Sequence, residues 1–289
     1  MPLSFLLIAL AAISWGTTGT TMVLLNQVVT MNPLVVGFWR MALASPFLLL
    51  LASRETLFSQ RPSRSSCQAY LIMAACIATY QVCYFCAIPL AGVAITALVA
   101  ICSSPLLIAL MAAVFLGERL TLKTYTSLFL GITGTVLLVL RPDTLTTNTG
   151  FLWGVLFALG ASSSYAGYAV IAKAQVVALS PVLVAAYGFT AATIFLLPAL
   201  AWQPPLADWI RALPFLLYLG LVTTAIAYAI YMIGIRHTSA TAAGIVVLLE
   251  PLTATLIGVF FFREPMPLMG ILGAVLLVSA ISLLTLQPK

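Results

Sequence analysis

Glu250 carries the most chemical weight in this chain. It stands inside the apolar run VVLLEPLTATLIGVFFF. A charge at the centre of a membrane helix costs about 2.5–3.5 kcal/mol on insertion scales. Such an acid persists only if it faces protein or water and has a partner, or if it is protonated. It can bind a substrate amine or move a proton in coupled transport. Equally, it can serve a structural ion pair or a helix-packing hydrogen bond. Residue types alone leave its charge state open. Arg40 is the other charge inside an apolar run, about two turns in, after Trp39. It is placed to snorkel to the interface, to pair with a carboxylate such as Glu250, or to hold a substrate carboxylate.

Pro105 and Pro251 sit in mid-run and lack an amide proton. Each frees the carbonyl four residues earlier, at Ile101 and Val247, and kinks its helix. A freed carbonyl near mid-membrane needs a new partner, such as the Ser103 or Ser104 hydroxyl, water or substrate. Both prolines read as hinges lining a cavity, or as static kinks. Aromatic and polar residues gather on particular runs: Trp15, Thr17 and Thr18; Tyr80, Gln81 and Tyr84; Ser163, Ser164, Tyr165 and Tyr168; Thr224, Tyr228 and Tyr231. Tyr80 and Tyr84 share a helix face by their i, i+4 spacing. Hydroxyls facing lipid would be unsatisfied, so these should point inward. A cavity of tyrosines and Trp15 stacks flat apolar groups, while hydroxyls and Gln81 orient a polar end. Packing contacts or interfacial belts are the bland alternative. Trp153, Trp202 and Trp209 lie near run ends and read as interface anchors.

The elements that hold these residues follow from composition. The 289 residues are 63% hydrophobic and 6% charged, against about 25% charged in a soluble domain. This is an integral membrane protein with the bilayer as its first partner. Ten apolar segments are predicted at about 3–25, 33–53, 67–88, 91–116, 121–140, 151–172, 181–200, 211–235, 238–262 and 267–286. Continuous runs near 20 residues predict helices rather than the alternating strands of a closed barrel. Pro2–Leu25 reads as a first span, not a cleaved leader. Cys67, Cys76, Cys83, Cys86 and Cys102 read as reduced packing residues. No basic folded patch points to nucleic acid.

Segments 4 and 9 are copies. Ala91–Glu118 aligns with His237–Glu264 at an offset of 146, with seven identities in 28 that include Pro105/Pro251 and Glu118/Glu264. At an offset of 148, Gln27-Val28-Val29 meets Gln175-Val176-Val177, Gly19 meets Gly167, and Pro33 meets Pro181. The chain therefore divides into a first half at 1–140, a linker at 141–150 and a second half at 151–289. Five spans per half, an odd number, predict an inverted-topology repeat with its site at the repeat interface. With the N-terminus inside, the inner loops hold eight Lys or Arg (Arg54, Arg61, Arg64, Arg119, Lys123, Lys173, Arg236, Lys289). The outer loops hold three (Arg141, Arg211, Arg263). Both termini are expected in the cytoplasm. Glu118 and Glu264 should then close segments 4 and 9 on opposite faces. Each opposes a helix dipole and needs a local partner, with Arg119, Lys123 and Arg263 at hand. The Gly131-x-x-Gly134 and Gly270-x-x-Gly273 pairs predict close helix packing, within the bundle or in a dimer.

Ser14-Trp15-Gly16, Phe38-Trp39-Arg40 and Leu116-Gly117-Glu118 resemble the EamA-type repeat of the drug/metabolite transporter superfamily. Glu250-Pro251 and Arg263-Glu264 resemble its second copy, with Arg263 standing where the first copy has Gly117. The resemblance covers nearly the whole chain. It implies a ten-helix, all-α carrier whose central cavity is lined by spans 1, 3, 4, 6, 8 and 9. It also implies export of small molecules across a bacterial inner membrane. Within the family the chain looks most like the aromatic amino-acid exporters, with export of cationic drugs coupled to protons through Glu250 as the alternative. A monomer or homodimer with no cofactor is expected. A P-loop, HExxH and GxSxG are absent from the sequence, and a lone histidine, His237, cannot supply a two-histidine metal site within one chain. A channel or membrane enzyme is the reading from another class.

Overall fold

The structure is a computed structural model describing residues 3–55, 64–139, 150–263 and 266–285. Glu264, Arg61, Arg141, Lys289 and nearly all of the expected linker lie outside the described residues. Every regular element among the described residues is helical.

Five helices form the first part of the chain: α1 (Leu3–Val28), α2 (Pro33–Glu55), α3 (Arg64–Ala91), α4 (Val93–Phe115) and α5 (Leu122–Val139). After it come α6 (Phe151–Ala178) and α7 (Pro181–Phe195), extended by a 3₁₀ turn at Leu197–Trp202. Next is a continuous segment of α8 (Leu206–Leu217), a π-helical stretch (Tyr218–Ile226) and α9 (Ala227–Arg236). The last helices are α10 (Ala240–Val247), α11 (Leu249–Phe261) and α12 (Leu268–Thr285). The starts of α2 and α7 follow from the aligned Pro33 and Pro181, since proline fits the first helical turn. Asn32 Oδ1 accepts from the Leu34 N–H at 2.9 Å and caps α2. Among the described residues, eight stretches are long and apolar enough to cross a bilayer. The apolar helices Pro181–Phe195 and Leu268–Leu284 are shorter.

Helix packing falls into matched sets. α3 lies on α6 as α9 lies on α1, and α4 lies on α6 as α11 lies on α1. α3 meets α7 as the π stretch meets α2, while α2 packs on α7 and α5 on α12. Small residues permit these approaches. A Cβ at Gly134 would lie 2.7 Å from the Gly273 carbonyl, so α5 and α12 touch backbone to backbone. The other glycine of each pair does something else. Gly131 faces the Leu248 side chain, and Gly270 faces its own Met266 and Pro267. The outer surface keeps its apolar side chains, with Leu110 and Phe129 more than half exposed.

Three local features depart from simple kinked helices. Segment 9 breaks at Leu248, between α10 and α11, because Pro251 has no N–H to offer the Val247 carbonyl. α4 runs unbroken through Pro105. There the Ser104 hydroxyl donates to Ala100 O at 2.6 Å rather than to the carbonyl the proline frees, at Ile101. Segment 8 winds through nine π-helical residues, where Thr223 and Thr224 both donate to Leu219 O, at 2.9 and 2.7 Å. The Thr224 bond spans five residues, the π spacing.

Candidate functional site

The two copied segments meet at a pocket. α4 contributes Ser104 and Pro105, and the broken segment 9 contributes Val247, Leu248 and Glu250. Tyr80 on α3 and Tyr165 on α6 complete its polar wall. Its volume is about 50 Å³, room for a few waters and less than an aromatic amino acid occupies. Ser104 Oγ lies 3.1 Å from Ser162 Oγ on α6, so two buried hydroxyls brace one wall.

Glu250 falls in the first turn of α11. It is half-buried and looks into the pocket. Gly16 explains how α1 reaches it. A Cβ on Gly16 would lie 2.7 Å from Glu250 O and 2.6 Å from Thr253 Cβ, so glycine lets α1 press directly on the start of α11.

Arg40 does not line the pocket. Its Nε donates to Thr224 Oγ1 on the π stretch at 3.3 Å. Thr224 acts as acceptor here, since its own proton goes to Leu219 O. The Arg40 charge lies in electrostatic reach of Glu250, Tyr80 and Tyr228. Among the described residues no ion pair joins Arg40 to Glu250.

The remaining expected residues form an aromatic train beside the pocket. Tyr84 stacks on Tyr80 at 5.7 Å, Tyr80 reaches Tyr165 at 6.2 Å, and Tyr165 reaches Tyr168 at 6.3 Å. Tyr168 meets Tyr228 at 6.1 Å, and Tyr228 meets Trp15 at 4.7 Å and Phe189 at 4.6 Å. Tyr231 closes on Trp15 at 5.2 Å. Trp15, Tyr231 and Phe189 are packed rather than open. In this cluster Trp15 Nε1 and Tyr168 OH are buried without a hydrogen-bond partner. Sequence alone does not mark Phe189, a phenylalanine in an apolar run, and it marks Ser163 and Ser164 instead of their neighbour Ser162. Ser163 and Ser164 donate to Leu159 O and Gly160 O of their own helix, while Ser162 is the serine that reaches Ser104. Gln81 is buried elsewhere, with its amide against Gly37 of α2. Ser103 precedes the wall residue Ser104 and is half-buried. Trp209 stacks edge-on against Trp39 at 5.0 Å, while Trp153 and Trp202 are exposed. Cys76 and Cys83 place their sulfurs against Gly167 and Gly160 of α6, as packing groups.

Glu118 lies at the far end of α4, away from this pocket. Its carboxylate accepts from the Ala240 and Thr241 N–H groups, the latter at 3.2 Å, and from Thr241 Oγ1 at 2.8 Å. Lys173 on α6 donates to Ile235 O at 2.8 Å and to Arg236 O at 3.0 Å, at the end of α9.

Known proteins place the chain in the same terms. A crystal structure of a protein superposes with a TM-score of 0.82 over 98% of this chain and 96% of its own, at 20% identity, a likeness of fold alone. The uncharacterized transporter YwfM of Bacillus subtilis is 32% identical over 98% of this chain and 94% of its own length. An uncharacterized transporter of Archaeoglobus fulgidus is 28% identical over 58% of this chain and 59% of its own. The model of the EamA-like transporter family matches twice, at residues 2–140 and 152–286. This multi-pass membrane protein belongs to the EamA-like transporter family.

Proposed function

We propose that the chain exports small metabolites, aromatic or other large apolar amino acids first among them, by alternating access. One observation carries the reading: Glu250 opens α11 at a break in its segment, facing a tyrosine- and serine-lined pocket, with the opposite charge of Arg40 near but not in contact. Two separated charges match the ammonium and carboxylate of one amino acid. The aromatic train next to them matches a flat apolar side chain. The unpaired Trp15 and Tyr168 donors are available to a bound molecule, and orphaned buried polar atoms call for such an explanation. The 50 Å³ pocket makes this a closed form that must part its rings to admit cargo.

Ten crossings in two inverted halves, 1–140 and 151–289, fit the packing. Lys173 near the end of α6 meets the end of α9, so both ends share a face. Returning to one face takes an even number of crossings, which counts the short α7 together with segment 8 as two. Gly234 packs against Ser4 and Ile8, which brings the start of α1 to that face as well. The matched packing sets are those a pseudo-two-fold axis generates, and five spans per half invert the second. The excess of Lys and Arg supports a cytoplasmic position for this face and both termini, and the family resemblance supports a bacterial inner membrane.

A second reading is export of cationic compounds in exchange for protons. It is favoured by the absence, among the described residues, of an ion-pair partner for Glu250. Proteoliposome counterflow tests both. Saturable L-phenylalanine counterflow, lost in Glu250→Gln with membrane insertion intact, supports the first. Proton-driven flux of organic cations without amino-acid counterflow selects the second. Wild-type flux by Glu250→Gln removes Glu250 from the site.

A further inference from the structure

We propose that Glu118 and Lys173 form a latch on the α9–α10 turn, holding the pocket shut toward the face where that turn lies. The proposal rests on the alternating-access reading. α4 ends near Phe115, and Gly117 at φ +66° turns the chain so that the Glu118 N–H bonds back to Ala112 O at 3.2 Å. This fixes the direction in which Glu118 leaves the helix. Its carboxylate then takes two backbone N–H groups and one hydroxyl at the N-terminus of α10. α10 already has its own N-cap, since Ser239 Oγ accepts from the Ala242 N–H at 3.1 Å. The carboxylate is therefore a tie between two segments rather than the device that starts the helix.

Lys173 grips the other side of the turn through the last carbonyls of α9. Each charge meets the helix end whose dipole attracts it, anion at an N-terminus and cation at a C-terminus. The two side chains also attract one another. What they hold is a movable piece. α10 is eight residues long, all buried, and the break at Leu248 separates it from α11. Gly244, Val247 and Leu248 are the pocket's wall on this side, and Gly244 is pressed against Ile108 of α4. α10 can swing at Leu248 without unwinding the helix that carries Glu250, and only once Glu118 lets go of its N-terminus.

The test reads access to the pocket without needing the natural cargo. Ser104→Cys is placed in a full-length chain whose five native cysteines are changed to alanine or serine and whose melting matches wild type. A membrane-impermeant maleimide is then added on the side of the α9–α10 turn. Losing one to two net hydrogen bonds to a charge predicts labelling at least about tenfold faster in Glu118→Gln and in Lys173→Met. Thr241→Val, which removes only the hydroxyl contact, gives a smaller rise and serves if Glu118→Gln fails to fold. Unchanged rates in folded variants, or a rise from the opposite side only, overturn the latch. L-phenylalanine counterflow by the same vesicles is scored separately, so lost cargo specificity is distinguishable from a failed latch.

Discussion

Gly16→Ala tests whether the close approach of α1 to Glu250 is needed. The added Cβ would stand 2.6 Å from Thr253 Cβ and 2.7 Å from Glu250 O. Normal carbon contacts are about 3.5–4.0 Å, so α1 must retreat by roughly 1 Å. The nearer obstacles are backbone and a β-branched side chain, and neither yields by a rotamer change. Such overpacking costs about 1–3 kcal/mol. Alanine's better helix propensity returns up to about 1 kcal/mol, so the bare mutant understates the clash. Gly19→Ala, one turn along the same helix, corrects for this because its Cβ meets nothing within 4 Å. It gains the propensity and meets no clash. The difference between the two variants is then about 1–3 kcal/mol, or roughly 2–12 °C in melting temperature for a protein of this size. The assay is thermal unfolding of both purified proteins in one detergent, followed by L-phenylalanine counterflow. Gly16→Ala should melt lower than Gly19→Ala and transport poorly, because the carbonyl it displaces belongs to Glu250 itself. Equal melting and equal flux in the two variants would refute the reasoning.

Other consequences are as direct. Gly134→Ala and Gly273→Ala each drive a Cβ into backbone across the α5–α12 crossing, and thermal unfolding should show a loss of about 1–3 kcal/mol. Gly270→Ala, whose nearest neighbour is 3.4 Å away in its own turn, should be close to neutral. Tyr228→Ala removes a ring packed on Trp15 and Phe189, a cavity costing about 3–5 kcal/mol. Its counterflow of L-phenylalanine should fall further than that of L-threonine, and an equal fall would assign the ring to packing. Single cysteines at 118 and 264 should react with impermeant reagents from opposite sides of the membrane. Reaction from the same side would end the inverted-repeat reading.

Several features are legible in the sequence, for physical reasons. Apolar run length reports bilayer thickness, so the helices lie close to where the runs predict them. Pro33 and Pro181 mark helix starts because a missing N–H is harmless there. The special standing of Glu250 is legible because a charge in an apolar run demands an explanation. The two prolines looked alike in sequence, yet α4 runs on through Pro105 while segment 9 breaks beside Pro251. Proline removes one bond wherever it stands, and the packing around it decides whether the helix bends or splits. The nine-residue π stretch leaves no sign in the sequence, because its apolar pattern satisfies either winding.

Composition, run length and the two offsets determined the membrane setting, the helical class and the duplication, because each follows from transfer energies and spacing along one chain. Tertiary structure decided which of the marked residues meet. It set Glu250 against Gly16, gave Arg40 to Thr224, sent Gln81 to Gly37, and turned Glu118 toward the backbone of α10. Those partners lie between 44 and 234 residues apart in sequence. No local pattern encodes which faces of distant helices will touch.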